Sequence, residues 1–254
     1  MTIFQALVLG IVEGVTEFLP ISSTGHMILV SHWLGLANTD FLKSFEIIIQ
    51  LGAILSVVVY FWRRIFTDLE IWKKVITAFI PTGIIGFVLY KIIKQYLLGN
   101  TMVVLWALLI GGILIIVFEK RAAKLPVGRT ELSYKQSAWV GLIQSLAVIP
   151  GVSRSAATIV GGMALGVSRQ TIVEFSFLLA VPTMLAATGL DLVKNYQLFS
   201  IDQLGVLSVG FISAFLVALA SVKFLMTFVQ KNSLAIFGWY RIVLAAVLLI
   251  VFYL

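Results

Sequence analysis

The chain is 254 residues long, 61% hydrophobic and only 11% charged, with a mean hydropathy of +1.09. Soluble domains are typically about 45 to 50% apolar, so an ordinary soluble domain is excluded and one polytopic, all-α integral membrane domain over residues 1–254 is expected. The net charge of +7 fits membrane orientation and no nucleic-acid partner, because no basic run is interleaved with aromatics for base stacking; the absence of cysteine excludes disulfides, thiolate metal sites and cysteine nucleophiles.

The first segment, 3–31, is apolar but broken by Pro20, and proline disfavours helix at the residue before it. Met1 to Leu9 lack a basic run and a small-residue cleavage site, so mature structure is expected there and not a removable signal. A polar island, EGVTEFLPISSTGH, runs from Glu13 to His26. Charge at the bilayer centre costs about 2.5 to 3.5 kcal/mol on insertion scales, so charge retained there points to function. Glu13 and Glu17 share a helix face one turn apart and repel; either one holds a proton or a divalent cation, Mg²⁺ or Ca²⁺, sits between them. Beyond Pro20, the hydroxyls of Ser22, Ser23 and Thr24 suit the start of a new helix, where backbone N–H groups attract anions. His26 is close enough in sequence to share the Ser23 proton, whereas His32, followed by Trp33, is expected at the membrane interface.

A spanning helix needs about 20 apolar residues, and candidates follow at 44–62, 75–93 and 101–118. The second broken segment, 137–166, carries the island Pro150 to Thr158, PGVSRSAAT. Gly151 lets the backbone approach a ligand closely, and Ser153 and Ser155 offer hydroxyls. Arg154 offers a planar fork for phosphate oxygens. Thr158 lies on the Arg154 face and either steadies a ligand or bonds the preceding turn. Further spans follow at 172–190, 204–226 and 235–254, the last containing Tyr240 and an intramembrane Arg241 that lines the pocket or pairs with Glu46 or Glu174.

Superposed without gaps, Gln5 meets Gln136, Gly10 meets Gly141, Glu13 meets Gln144 and Ser22 meets Ser153. Phe45 and Phe175 follow with one residue of drift. Each half, about 1–118 and about 136–254, reads as one re-entrant helical hairpin and three spans. Irregular backbone at membrane depth is tolerated where protein buries it or where it lines a wet cavity, and two kinked spanning helices are the alternative. With three crossings per half, the repeat is of inverted topology. Arg63, Arg64, Lys73 and Lys74 occupy one loop and Lys120, Arg121, Lys124, Arg129 and Lys135 the loop two crossings later, so both are expected in the cytoplasm. Arg169 and Lys231 join them, both termini fall outside, and Lys43, Lys91 and Lys94 are the minority. Gly111-Gly112 and Gly161-Gly162 permit close helix packing within one subunit or across a homodimer.

The Glu13-x-x-x-Glu17 pair, the Ser-Ser-Thr-Gly-His stretch ending at His26 and the Pro150 to Thr158 motif resemble bacterial undecaprenyl pyrophosphate phosphatases, the bacitracin-resistance membrane family. The Glu174-Phe-Ser-Phe segment, Pro182 and Tyr240-Arg241 share the resemblance, which covers essentially the whole chain. It implies dephosphorylation of undecaprenyl pyrophosphate at the outer face of the plasma membrane, recycling the lipid that carries cell-wall precursors. Under that reading Ser23 attacks the terminal phosphorus, His26 or Glu17 takes its proton, and Arg154 stabilises the equatorial oxygens. Glu13 holds a cation or orients Glu17. The competing assignment makes His26 the nucleophile, and a different class, a polyprenyl phosphate flippase, shares the inverted-repeat architecture.

Overall fold

Among the described residues six helices are long and apolar enough to cross a membrane, and each falls where the hydropathy placed a span. They are α3 (Asp40–Tyr60), α5 (Leu69–Ile92), α6 (Thr101–Ala122), α9 (Arg169–Asn195), α10 (Leu204–Lys231) and α11 (Ala235–Tyr253). The computed structural model describes residues 1–92, 96–97, 100–122, 128–195 and 201–254; Lys94 and Lys124 lie outside them. The broken segments give four short helices: α1 (Ile3–Thr16), α2 (Ser23–Trp33), α7 (Tyr134–Gln144) and α8 (Arg154–Ala164). At about 1.5 Å per residue, none of the four covers a hydrocarbon core of about 30 Å. The six-residue helix α4 (Trp62–Thr67) links α3 to α5.

The two broken segments are built alike. Thr2 caps α1 in a capping box with Gln5, and Ser133 caps α7 in a capping box with Gln136. Gln5 Nε2 then donates to the Leu34 carbonyl at 3.1 Å, and Gln136 Nε2 donates to the Leu165 carbonyl at 2.9 Å. Each glutamine therefore ties the start of its segment to the end. At the breaks, Ser22 and Ser153 both take φ of 72°, a left-handed backbone uncommon for a residue with a side chain. Each then caps the helix that follows, Ser22 accepting from the Gly25 N–H and Ser153 from the Ala156 N–H.

The halves interlock by exchange. In the first half, α1 packs on α10, with Gly10 against the backbone of Gly210 and Ala214; in the second, α7 packs on α5, with Gly141 against the Ala78 carbonyl. The other small residues also pack within the chain: Gly112 meets the Gly238 carbonyl, Gly161 meets Ile143 and Gly162 meets Ile172.

The basic loops gather at one end of the bundle. Tyr134 Oη donates to Glu70 at 2.7 Å, Arg64 pairs with Glu174, and Arg169 bridges Glu119 at 2.9 Å and the Asn232 carbonyl at 2.9 Å. Two open clefts of about 270 and 610 Å³ lie at this end, lined by charges of both signs that include Arg64, Lys74, Glu131 and Arg129.

Between the ends sits Arg241, fully buried. It pairs with neither Glu46 nor Glu174, and its guanidinium is spent on backbone carbonyls. Nη1 donates to Val152 at 2.8 Å and Pro20 at 3.5 Å, Nη2 to Ala107 at 2.8 Å and Gly151 at 2.9 Å, and Nε to Leu108 at 3.4 Å. One side chain thus holds both breaks against α6. Gly111 makes the room, because a Cβ there would strike the guanidinium.

Removing the donors or filling their space should loosen the whole core. Arg241→Met and Gly111→Val are each expected to lower the thermal midpoint in detergent by more than about 5 °C, the scale of a loss of two or more kcal/mol in a chain of this size. An unchanged midpoint in both would show that the breaks are held without the clamp.

Candidate active site

The clamp brings the two polar islands together. Glu17 stands just past the end of α1 and Ser23 begins α2, because Pro20 interrupts the helix between them. Ser23 Oγ donates to Glu17 Oε2 at 2.7 Å. The other carboxylate oxygen faces Arg154 Nη2 at 3.5 Å, with both side chains at most one-tenth exposed. Arg154 is the first residue of α8; its Nη1 donates to the Ser176 carbonyl of α9 at 2.9 Å, and its guanidinium lies 5.8 Å from the centre of the Phe18 ring. Its Nε is buried with no hydrogen-bond partner, a charged donor left unspent where a phosphate oxygen would satisfy it.

Glu13 is 1% exposed. Its carboxyl packs against that of Glu17, with Glu46 of α3 nearby, and its Oε1 has no hydrogen-bond partner. Two carboxylates in contact accept and do not donate, so a proton or a cation must lie between them. The donor set fits a hard cation through oxygen ligands. Among the described residues no third carboxylate or histidine closes around the pair, so water and phosphate oxygens would complete a shell.

In the second island most of the polar side chains are held by contacts within the protein. Gly151 adopts φ of 93° and lies close to the Val104 carbonyl, where a side chain would be both strained and obstructed. Ser153 Oγ lies 3.0 Å from Ser155 Oγ. Ser155 is fully buried and donates to the Leu19 carbonyl at 2.9 Å, joining α8 to the first break. Thr158, also fully buried, bonds the Arg154 carbonyl at 2.9 Å and lies 2.5 Å from Ser176 Oγ. Ser155 and Thr158 thus brace the turn that carries Arg154.

In the first turn of α2, Ser22 is buried and Thr24 is exposed. His26 is buried, with Nδ1 2.7 Å from the Ser22 carbonyl and Nε2 2.7 Å from Tyr240 Oη. Both ring nitrogens are therefore occupied, and neither faces Ser23 Oγ. His32 is exposed at the end of α2 and packs against Phe252 with the rings tilted and their centroids 4.7 Å apart. The sequence grouped Tyr240 with a motif and gave Ser176 and Glu46 no role beside the islands. Their contacts join residues as far apart as 214 positions, and only the segment Glu174-Phe-Ser-Phe and the pair Tyr240-Arg241 hinted at them.

The chain is 54% identical to an undecaprenyl-diphosphatase of Aquifex aeolicus over 97% of each chain. It is 49% identical to one of Wolinella succinogenes over 98% of each, and 48% identical to one of Bdellovibrio bacteriovorus over 100% of this chain and 97% of that one. Residues 6–247 match the family described as bacitracin resistance protein BacA. The family match over most of the chain and the whole-length similarity agree, and the chain belongs to the bacitracin resistance protein BacA family.

Proposed function

We infer that this membrane protein hydrolyses undecaprenyl pyrophosphate to undecaprenyl phosphate and inorganic phosphate, recycling the cell-wall lipid carrier and conferring bacitracin resistance. The observation that carries the chemistry is the Ser23 hydroxyl donating to Glu17 at 2.7 Å beside an arginine with a free buried N–H. Glu17 takes the Ser23 proton as Oγ attacks the terminal phosphorus, and the bond to the bridging oxygen breaks. Undecaprenyl phosphate departs; water then hydrolyses the phosphoserine. Arg154 stabilises the charge on the equatorial oxygens. The N-termini of α2 and α8, with Ser22, Thr24, Gly151 and Ser153, add backbone N–H groups for the two phosphates.

The commitment of both His26 nitrogens favours Ser23 over His26 as nucleophile. Glu13 with Glu17 would hold a divalent cation, which when bound supplies positive charge against the pyrophosphate.

Several observations support re-entrant hairpins in an inverted repeat. The Gln5 and Gln136 bonds bring the two ends of each broken segment together, whereas a kinked spanning helix would hold them a membrane's thickness apart. The second hairpin opens among the basic loops, and α3 runs from the open end of the first hairpin toward them. With the basic end in the cytoplasm, the first hairpin and both termini face outside, and the substrate enters laterally with its tail in lipid.

Phosphate release from a polyprenyl pyrophosphate by protein in detergent tests the reading. Ser23→Ala, Glu17→Gln and Arg154→Ala are each expected to lose about 10²- to 10³-fold in kcat, and EDTA sensitivity would identify the cation. Add-back of Mg²⁺ or Ca²⁺ after EDTA would distinguish the two cations, and no release from wild type under any metal condition would favour the polyprenyl phosphate flippase. Acid-quenched turnover followed by peptide mapping should place the phosphoryl group on Ser23; label on His26 would overturn the serine assignment, and label on neither would favour direct attack by water.

A further inference from the structure

His26 has an arrangement that the phosphatase chemistry above does not use. A carbonyl oxygen only accepts, so the contact of Nδ1 with the Ser22 carbonyl at 2.7 Å places a proton on Nδ1, and in the neutral imidazole Nε2 then carries the lone pair. Tyr240 Oη, 2.7 Å from Nε2, is then the donor. The two rings lie 8° from parallel with centroids 5.5 Å apart. The chain's other histidine, His32, is exposed and has no such pair of partners.

The Ser22 carbonyl belongs to the peptide that joins Ser22 to Ser23. Ser22 holds φ of 72°, a strained conformation for a non-glycine residue that persists only when its surroundings enforce it. That turn sets the direction of the Ser23 hydroxyl toward Glu17. The matching serine in the second half, Ser153, has the same φ, but Arg241 secures its neighbours Gly151 and Val152. No histidine occupies the second break. Tyr240 precedes Arg241 on α11, so the helix register that seats the clamp also fixes the base of the phenol. Tyr240 is 45% exposed and His26 8%, which makes the phenol the outer wall of this chain of bonds.

We propose that Tyr240 is a positioning residue for the phosphatase reaction: through His26 it holds the Ser22–Ser23 peptide in the turn that aims the Ser23 hydroxyl at Glu17. The proposal rests on Ser23 as nucleophile. It makes His26 a strut between the last helix and the catalytic turn.

Tyr240→Phe keeps the ring and removes only the donor. It is expected to lower kcat about tenfold, the scale of one lost hydrogen bond, with KM changed less than about twofold. In a His26→Ala background the same substitution should change kcat no further. Nitrogen-15 spectra of histidine-labelled His32→Gln protein should show one protonated and one unprotonated ring nitrogen, and Tyr240→Phe should move the unprotonated resonance downfield. Independent, multiplying effects of the two substitutions, a change in KM alone, or an unmoved resonance would each overturn the proposal. The spectral arm needs no turnover, so its failure is separable from a failure of the serine mechanism.

Discussion

A cation with no carboxylate partner holds this molecule together. Burying a guanidinium is costly unless every N–H finds an acceptor, and Arg241 finds five carbonyls, drawn from α6 and from both breaks. The breaks free those oxygens: at Pro20 and Gly151 the backbone leaves the helix and its carbonyls need donors. The defect in one element is thus satisfied by the charge in another. Irregular backbone at membrane depth persists because protein supplies the bonds that water cannot.

The same economy separates the chemistry of the two halves. Their backbones follow one plan, with paired capping boxes, glutamine ties and left-handed serines. Their side chains have parted. Without gaps, Glu13 faces Gln144, Glu17 faces Val148, Ser23 faces Arg154 and His26 faces Ala157. One half carries the hydroxyl and the carboxylates, the other the arginine that meets them. Gln144 shows the alternative fate of the Glu13 position: its amide donates to Thr82 at 3.1 Å and Thr183 at 3.2 Å, a neutral buried junction where its counterpart is a carboxyl group.

Several polar residues near the site work as struts. Ser155 and Thr158 sit where a motif reader expects ligands, yet their hydroxyls join α8 to the first break and to α9. Such bonds fix the Arg154 turn, and a charged donor aimed before the substrate arrives costs no reorganisation at the moment of reaction.

The amino-acid sequence alone determined the membrane class, the six spans, the two broken segments and the two islands. These depend on local quantities: runs of apolar residues, a proline that cannot donate, and charges that hydrocarbon penalises. It also exposed the likeness of the two broken segments, because Gln5 and Gln136 or Ser22 and Ser153 occupy the same place in each. It left open whether His26 or Glu17 receives the Ser23 proton, what Arg241 touches and whether Thr158 is ligand or brace. The tertiary structure decided where those groups point. Tyr240 reaches His26 across 214 residues and Arg154 reaches Glu17 across 137, and no local pattern encodes such pairs. They exist only after the helices pack, when the few donors and acceptors left unpaired by the breaks have one another as their partners.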